Sequence, residues 1–321
     1  MDEFSFIDSI KQDSNNQPSL VKGIGDDAAV FRTSNDIITA VDTFVENVHF
    51  SRETMEPFHI GYRALAANIS DLAAMGALPV FYLVSIVIPK GWEEEELLQI
   101  YAGMKSLAEQ HKMDLIGGDT VSGSELTVSI TAIGYTNRDK ARYRSSAKPE
   151  DIVFVTGTLG DSQAGFHILT NPGSYRDADY FINRHRMPSP RVTFANKLID
   201  LSRIAFNDIS DGIASEANEI AETSHVTIIL NEETLPTSDS YDQFPLELQN
   251  QWKLYGGEDF ELLGTIASED WEVLKKIAHL TNTKVTRIGY VAETKRDGQV
   301  ILKSNRKNDI ILEKKGYRHL K

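Results

Sequence analysis

A run of nine residues from Val80 to Ile88, VFYLVSIVI, constrains the fold of this chain more than any other feature. The run is almost wholly apolar and rich in β-branched side chains, so it predicts a strand that is buried on both faces. It is much shorter than the roughly 20 residues that a membrane-spanning helix needs. The chain therefore needs a layered fold around a central sheet, and we expect no membrane contact.

The segments around this run have the spacing of helices and further strands. A helix predicted from Pro57 to Met75 has one bulky apolar face and one small face, and Asn68 and Asp71 lie together on the small face. The other elements predicted in the first half are a strand from Ile37 to Val41 that ends at Asp42, a helix from Glu93 to His111, a GGDTVSG loop and a strand LTVSITAIGY.

The length of 321 residues favours two domains, and we place the boundary in the polar stretch NRDKARYRSSAKPE. The predicted domains are residues 1–140, an α/β half, and residues 141–321, an α+β half. The second half is predicted to contain strands at IVFVT, VTIIL, EDFELLGTI and KVTRIGYV, a helix capped by Asp161, and a helix that follows DISDG. Helices and strands do not alternate strictly, so the fold class is α+β with mixed sheets flanked by helices.

The composition excludes several classes of function. The chain contains no cysteine, which rules out disulfides, thiolate metal sites and cysteine nucleophiles and is typical of a cytoplasmic protein. The acidic N-terminus predicts no secretory leader. A net charge of −14 argues against a nucleic-acid partner, because binding to the phosphate backbone needs a positive surface.

Aspartate recurs beside glycine turns or at the ends of predicted elements, in GIGDD, AVDT, NISDLAAMG, GGDT and DISDG. Each aspartate taken singly is more often a cap or turn residue. Five such places in one chain indicate carboxylates that converge on one pocket. Converging carboxylates repel one another, and a chain that offers oxygen ligands without thiolates favours magnesium or manganese.

The sequence does not match the motifs of several other common metal-binding and nucleotide-binding sites. The histidines lack the HExxH spacing of catalytic zinc, and the chain lacks the GxxxxGK[ST] sequence of a phosphate-binding loop. The segment from Asp208 to Glu219 has the length of a calcium loop, but Ile213 occupies the position that requires glycine. The GIGDDA segment has the spacing of a dinucleotide-binding loop, but its two aspartates would face the pyrophosphate.

Eight motifs, GIGDDAAV, DTFVENVHF, ALAANISDLAAMGALP, GGDTVSG, RSSAKPED, GTLGDSQAGF, DISDGI and GGEDFEL, closely resemble the thiamine-monophosphate kinase family in order and spacing. The resemblance covers nearly the whole chain. It implies the two-domain fold of the aminoimidazole ribonucleotide synthetase superfamily, a metal and ATP site in the N-terminal half, and a homodimer whose contacts come from that half.

The resemblance also implies the roles of individual residues. The implied magnesium ligands are Asp27, Asp42, Asp71, Asp119, Asp208 and Asp211. The implied ATP-binding residues are Tyr101, Gly118, Asp119, Arg144 and Ser210. The implied residues for thiamine monophosphate are His49, Glu258 and Tyr317. Without the resemblance, these side chains would be packing, turn or surface residues. The family usually has hydroxyl residues before the strand-end aspartate, whereas this chain has Ala40 and Val41.

The predicted reaction is transfer of the γ-phosphoryl group of ATP to thiamine monophosphate. A phosphate oxygen is already anionic at neutral pH, so no general base is predicted, and several Mg²⁺ ions would balance the negative charge. One alternative is another ATP-using enzyme of the superfamily, such as an amidine cyclase. The selenide and hydrogenase-maturation types usually carry a cysteine or selenocysteine that this chain lacks. The second alternative is a non-enzymatic metal-binding or nucleotide-binding protein.

Overall fold

The protein is described as a computed structural model of residues 9–12, 14–24, 28–294, 298–305 and 308–315. Two of the predicted site residues, Asp27 and Tyr317, lie outside these ranges. The chain forms two compact units, one of residues 1–72 and 77–141 and the other of residues 73–76 and 142–321. None of the described helices is long and apolar enough to span a bilayer.

The first unit contains six strands and two helices among its described residues. The strands are β1 (Leu20–Lys22), β2 (Val30–Phe31), β3 (Asp36–Val45), β4 (Leu78–Pro89), β5 (Asp114–Gly123) and β6 (Thr127–Thr136), and the helices are α1 (Pro57–Ala74) and α2 (Glu94–His111). β1 and β2 form a small antiparallel ribbon, and the other four strands form a sheet in the order β3-β6-β4-β5. β5 runs parallel to β4, and the remaining pairs are antiparallel.

The predicted helices and the central strand of this unit are confirmed. The bulky face of α1, made by Leu65, Ile69 and Leu72, is completely buried. Strand β4 is only partly as predicted, because Val84 and Ile86 are buried while Ser85, which points to the other face, is exposed. One face of the sheet therefore packs in the core, and part of the other is open.

Two predictions about the strands of this unit are wrong. The GGDTVSG segment is not a loop but the second half of β5. Because β5 is an edge strand, this polar, glycine-rich sequence needs no apolar side chains to stay paired with β4. Strand β3 does not end at Asp42 but continues to Val45, since β6 offers a backbone partner to every residue from Asp36 to Val45.

The second unit contains seven strands and six helices among its described residues. The strands are β7 (Ile152–Thr156), β8 (Ile204–Asp208), β9 (Thr227–Asn231), β10 (Leu262–Ile266), β11 (Val285–Ala292), β12 (Gln299–Lys303) and β13 (Ile310–Leu312). The helices are α3 (Asp161–Thr170), α4 (Ala178–Arg186), α5 (Val192–Lys197), α6 (Ile213–Ser224), α7 (Leu246–Tyr255) and α8 (Trp271–Leu280). The strands form one mixed sheet in the order β13-β12-β9-β11-β7-β10-β8.

Helix α6 packs its predicted apolar face on this sheet. Ile213, Ala217, Ile220 and Ala221 are completely buried in one cluster with residues of the strands. The 3.6-residue spacing of these side chains after DISDG therefore predicts the helix correctly. Together the two units confirm the α+β class with mixed sheets flanked by helices.

The predicted cap of helix α3 is wrong. The residue before the helix is Gly160, which has a left-handed backbone, and Asp161 makes no side-chain cap. Its carboxylate instead accepts hydrogen bonds from the hydroxyls of Thr158, Tyr180 and Ser238. The free N–H groups of the first turn are taken up by Asp259, about a hundred residues further along the chain.

Candidate functional site

One candidate group of site residues is a pair of aspartates in the first unit. Asp42 lies in the middle of β3 and is aligned across the sheet with Ile130, Val84 and Gly118. The side chains of Ile130 and Val84 are buried, so Asp42 lies on the covered face of the sheet. Asp71 of helix α1 is hydrogen-bonded to Asp42. The structure thus brings together two aspartates that are 29 residues apart in the sequence.

The two carboxyl groups of this pair cannot neutralise each other, because both are acidic. Burial raises the pKa of Asp42 above its ordinary value, and the hydrogen bond with Asp71 offsets only part of that rise. Two carboxyl groups can share a hydrogen bond only while one of them carries a proton. A divalent cation bound here would replace that proton and allow both groups to ionise.

Asp119 lies elsewhere on the same sheet. It is aligned with Ser85 of β4, which is aligned with Ser129 of β6 and Thr43 of β3. The hydroxyls of Thr43 and Ser129 are 2.9 Å apart, which confirms that this row shares one face. Because neighbouring residues of a strand point to opposite faces, Asp119 and Asp42 lie on opposite faces of the sheet.

His49 lies in a tight turn that follows β3. The backbone N–H of Val45 donates to Nδ1 of His49 at 3.1 Å, and the His49 ring lies 5.3 Å from the ring of Phe44. A neutral imidazole has one acceptor nitrogen and one N–H, so this contact assigns the proton to Nε2. The Nε2 atom of His49 is therefore a hydrogen-bond donor and does not act as a base.

The same turn is fastened to the start of helix α2. Glu46 accepts a hydrogen bond from the indole N–H of Trp92 at 3.2 Å, and the guanidinium of Arg52 lies 3.9 Å above the Trp92 ring. Arg52 also pairs with Glu96, whose carboxylate caps the first turn of α2. These contacts fix the turn that carries His49.

Two of the three predicted ATP-binding residues of the first unit differ in exposure, because Tyr101 is buried and Gly118 is exposed. Tyr101 of α2 is buried, and burial raises the pKa of its phenol well above the ordinary value. Gly118 lies on β5, where an added Cβ would come within 2.0 Å of the carbonyl oxygen of Val84. Only glycine allows the two strands to approach this closely.

A separate candidate group lies in the second unit, where β8 ends at the DISDG segment. Asp208 is the last residue of β8 and is buried, whereas Asp211 is exposed in the turn before α6. The backbone N–H of Asp211 donates to Glu216 at 2.9 Å. Burial, followed by repulsion from Asp208 and other nearby carboxylates, raises the pKa of Glu216 well above its ordinary value.

Arg144 is joined to this acidic turn through Asn207. Its Nε donates to Oδ1 of Asn207 at 2.9 Å, and its Nη1 forms an ion pair with Glu219 at 2.9 Å. Asn207 in turn donates to Glu216 at 2.6 Å and to Glu219 at 3.1 Å. A guanidinium has five N–H donors, so Arg144 can keep these contacts and still bind a phosphate.

Glu258 lies in a turn that pairs with Ser210. The backbone N–H of Glu258 donates to the carbonyl of Ser210 at 2.8 Å, and Glu258 has a left-handed backbone with φ of 67°. The structure therefore brings Ser210 and Glu258 together within one unit, although 48 positions separate them in the sequence.

Sequence reasoning missed several side chains of the candidate group in the second unit. Asn207, Glu216 and Glu219 hold Arg144 and Asp211 in one network. Asn207 and Glu216 were not singled out from the sequence, and Glu219 entered only as the end of the rejected calcium loop. The available signal was an acidic residue in the first turn of the helix that follows DISDG, which is a favoured position for negative charge. Asn207 carried no signal, because a single asparagine before Asp208 matches no motif of its own.

The fit to magnesium was tested on the donor atoms. Within the described ranges, no group of three or more histidine, aspartate or glutamate side chains is arranged to hold a metal ion. Magnesium, however, is usually bound by one or two carboxylates together with water and substrate phosphates. The Asp42–Asp71 pair, with two hard oxygen ligands and a raised pKa at Asp42, fits that kind of site.

Comparisons with known proteins agree over the whole chain. Residues 25–136 match the N-terminal domain of AIR synthase related proteins, and residues 148–301 match the C-terminal domain. The chain is 48% identical to thiamine-monophosphate kinase of Bacillus subtilis over 328 aligned positions, which cover 100% of both chains.

Solved structures give the same result. The crystal structure of thiamine-monophosphate kinase from Stenotrophomonas maltophilia aligns with a TM-score of 0.82 and 32% identity, over 95% of this chain and 97% of that one. The structure of AaThiL complexed with AMPPCP and TMP aligns with a TM-score of 0.78 and 31% identity, over 99% of this chain and 97% of that one.

Proposed function

The chain belongs to the thiamine-monophosphate kinase family, and we propose that it transfers the γ-phosphoryl group of ATP to thiamine monophosphate, giving thiamine diphosphate and ADP. The observation that carries the proposal is the identity of 48% to the Bacillus subtilis kinase along the full length of both chains. The ATP analogue and TMP bound to AaThiL, a structure of the same fold, support the choice of substrates.

Magnesium is part of the proposal because the donor set fits it. The Asp42–Asp71 pair would hold a cation in the first unit, Asp208 and Asp211 would be ligands in the second unit, and Asp27 is added on the strength of its motif. Asp119 lies on the opposite face of the sheet from Asp42, so it would not share the cation of that pair. Bound cations would neutralise the charge of the two phosphate groups that must approach each other. The Asp42–Asp71 pair is the part of this set that the contacts support most directly.

The nucleotide would be bound by residues of the motifs that the family resemblance assigns to ATP. Arg144 would donate to phosphate oxygens, and Asn207 and Glu219 hold its guanidinium in position for this. Gly118 and Ser210 would lie against the nucleotide with their backbone and hydroxyl groups. Asp119 and Tyr101 complete the proposed ATP set.

The acceptor would be bound without a general base. The attacking phosphate oxygen is already ionised at neutral pH, because the second pKa of a phosphate ester is about 6. His49 would donate its Nε2 proton to that phosphate, since its Nδ1 accepts the N–H of Val45. Glu258 and Tyr317 would complete the acceptor site.

The expected homodimer would form through the open face of the first unit's sheet. Val41 and Val121 point to this face and are 63% and 46% exposed. Strand β4 has the apolar sequence of a strand buried on both faces, yet Ser85 in its centre is exposed on the open side. A second copy of the chain would supply the missing cover. Val41→Lys should therefore shift the sedimentation coefficient to that of a monomer, whereas Val273→Lys on helix α8 should not.

The reaction itself is tested with ATP that carries a labelled γ-phosphate. Incubation with magnesium and thiamine monophosphate should place the label in the terminal phosphate of thiamine diphosphate, with one ADP formed for each product molecule. A direct in-line transfer should also invert the configuration at phosphorus when the γ-phosphate is chiral. Release of inorganic phosphate without thiamine diphosphate would instead support another reaction of the superfamily. The cytoplasmic location stays a prediction.

A further inference from the structure

The turn that carries Glu258 has an unusual backbone. Glu258 and Phe260 both lie in the left-handed region, with φ of 67° and 49°, although neither is glycine. A non-glycine residue in this region costs on the order of 1 kcal/mol or more and persists only where its surroundings hold it. Two such residues flank Asp259, so some strong contact must keep this turn in place.

The side chain of Asp259 supplies one of these contacts. Its carboxylate is 1% exposed and accepts the backbone N–H of Gly160 at 2.6 Å and of Ser162 at 3.0 Å. These N–H groups belong to the GTLGDSQAGF segment at the start of helix α3. That motif has no part in the proposed binding of ATP or of the acceptor, so the contact gives it a role.

Arg184 holds the backbone of the same turn. Its Nη2 donates to the carbonyl of Asp259 at 3.0 Å and to the carboxylate of Glu261 at 2.9 Å. Glu261 is fully buried, forms an ion pair with Arg191 and accepts the hydroxyl of Thr156 at 2.6 Å. The turn is therefore anchored by two buried acidic side chains, Asp259 and Glu261, and Glu258 is adjacent to the first of them.

The turn also lies directly on the DISDG segment. Phe260 donates its N–H to the carbonyl of Ile209 at 3.0 Å, and Glu258 donates to Ser210 at 2.8 Å. A Cβ on Gly257 would come within 2.1 Å of the Ser210 carbonyl oxygen, so only glycine fits there. A shift of this turn would consequently move Glu258 relative to Ser210.

We propose that Asp259 is a positioning residue for the acceptor site, which through its bonds to Gly160 and Ser162 holds Glu258 in the orientation that binds thiamine monophosphate. The proposal rests on the proposed function, because it takes Glu258 as an acceptor-binding residue. Asp259 touches no substrate in this account and acts only through the turn.

The test is a double-mutant cycle read out as KM for each substrate. Asp259→Asn replaces one acceptor oxygen by an amide that faces a backbone N–H, so one anchor is lost. We expect the KM for thiamine monophosphate to rise about tenfold, as for loss of one charge-assisted hydrogen bond, with the KM for ATP changed by less than about twofold. Glu258→Gln should raise the acceptor KM as well, and the double variant should be no worse than Glu258→Gln alone.

The matched control is Asp151→Asn in the same unit. Asp151 is also 1% exposed, accepts a backbone N–H from Lys148 at 2.9 Å and pairs with Arg203. Its loss should cost stability in the same way, but it should leave the acceptor KM unchanged. If Asp259→Asn does not fold, Arg184→Lys takes its place in the cycle. Lysine lacks the guanidinium group that bonds both the Asp259 carbonyl and the Glu261 carboxylate.

Two results would overturn the positioning role while leaving the function intact. One is an Asp259→Asn enzyme whose acceptor KM matches the wild type, as in the Asp151→Asn control. The other is a double variant whose effects on the acceptor KM multiply. A wild-type chain that forms no thiamine diphosphate overturns the proposed function, and the positioning role with it.

Discussion

Two regions of this protein bury carboxylates close together, and they balance the charge in opposite ways. In the first unit, Asp42 and Asp71 are bonded to each other, and burial raises the pKa of Asp42. In the second unit, burial would also raise the pKa of Glu261, but Arg191 and then Arg184 hold it below its ordinary value. In the second region, arginine side chains neutralise the buried carboxylate. The carboxylate pair of the first region instead fits a bound metal cation.

This difference separates structural acids from candidate ligands. Glu261 has two arginines and the hydroxyl of Thr156 around it, so its role is to hold the fold of the second unit. The Asp42–Asp71 pair would be stabilised if a divalent cation replaced its shared proton. Variants that remove one carboxylate from each region therefore test this difference between structural acids and candidate ligands.

The largest effect is expected on stability, at Glu261. Glu261→Gln removes the anion that pairs with Arg191 and leaves Arg184 with the more distant carboxylate of Asp161, which should lower the free energy of unfolding by about 3–5 kcal/mol. Urea denaturation of both proteins measures the change. Glu272→Gln on helix α8 is the control, because its side chain is 71% exposed and pairs only with Lys275, so its effect should be below about 1 kcal/mol.

Next in size is the effect of Asp71→Asn on catalysis. Loss of one carboxylate of the pair should lower kcat/KM for thiamine monophosphate by about 100-fold or more, since electrostatic stabilisation of the transferred group depends on it. Steady-state rates of thiamine diphosphate formation measure this. Asp139→Asn, at an exposed side chain of the same unit, should retain full activity. Equal activity of both variants would remove Asp71 from the ligand set.

A smaller effect on catalysis is expected at His49, and it tests whether the first unit contains a general base. Asparagine can still accept the N–H of Val45 but does not reach as far as the imidazole Nε2. His49→Asn should therefore raise the KM for thiamine monophosphate about tenfold with kcat nearly unchanged. If kcat at saturating acceptor were abolished, a general base would be needed and the cations alone would not explain the reaction.

The smallest effect is a pH dependence of stability at Glu261. Its pKa in the folded state lies below the ordinary value of 4.5, so its contribution is present above that value and is lost as the pH falls through the folded-state pKa. The difference in unfolding free energy between wild type and Glu261→Gln should stay constant from about pH 7 to about pH 5 and should shrink as the pH falls further below the ordinary pKa of 4.5. A difference that grew toward low pH would contradict the assignment of Glu261 as an ionised, arginine-bound group.

The sequence predicts the elements of this fold better than the placement of its acids. The spacing of Ile213, Ala217 and Ile220 is local information, so helix α6 follows directly from it. The strand-end position expected for Asp42 is wrong, because the length of β3 is set by its pairing with β6, more than 80 residues away. Which face a strand residue occupies likewise depends on register, and register separates Asp42 from Asp119.

The buried acids of the second unit lay beyond sequence reasoning for the same reason. In the GGEDFEL motif, Glu258, Asp259 and Glu261 look alike as polar residues that open a strand. Their different roles depend on Gly160 and on Arg184, which are about 75 to 100 positions distant along the chain. The motif as a whole pointed to the family, and only the contacts distinguish the inward-pointing carboxylates from Glu258.

The most direct test of the central claim is a thermal unfolding titration with magnesium and a non-hydrolysable ATP analogue. Ligands that bind the folded state raise its stability by about 2.7 kcal/mol at a concentration of 100 Kd. Magnesium with the analogue should raise the Tm of the wild type and of Glu261→Gln, but should have little effect on the Tm of Asp42→Asn and Asp71→Asn. An equal rise in all four proteins, or none in the wild type, would contradict the claim that the Asp42–Asp71 pair holds a cation.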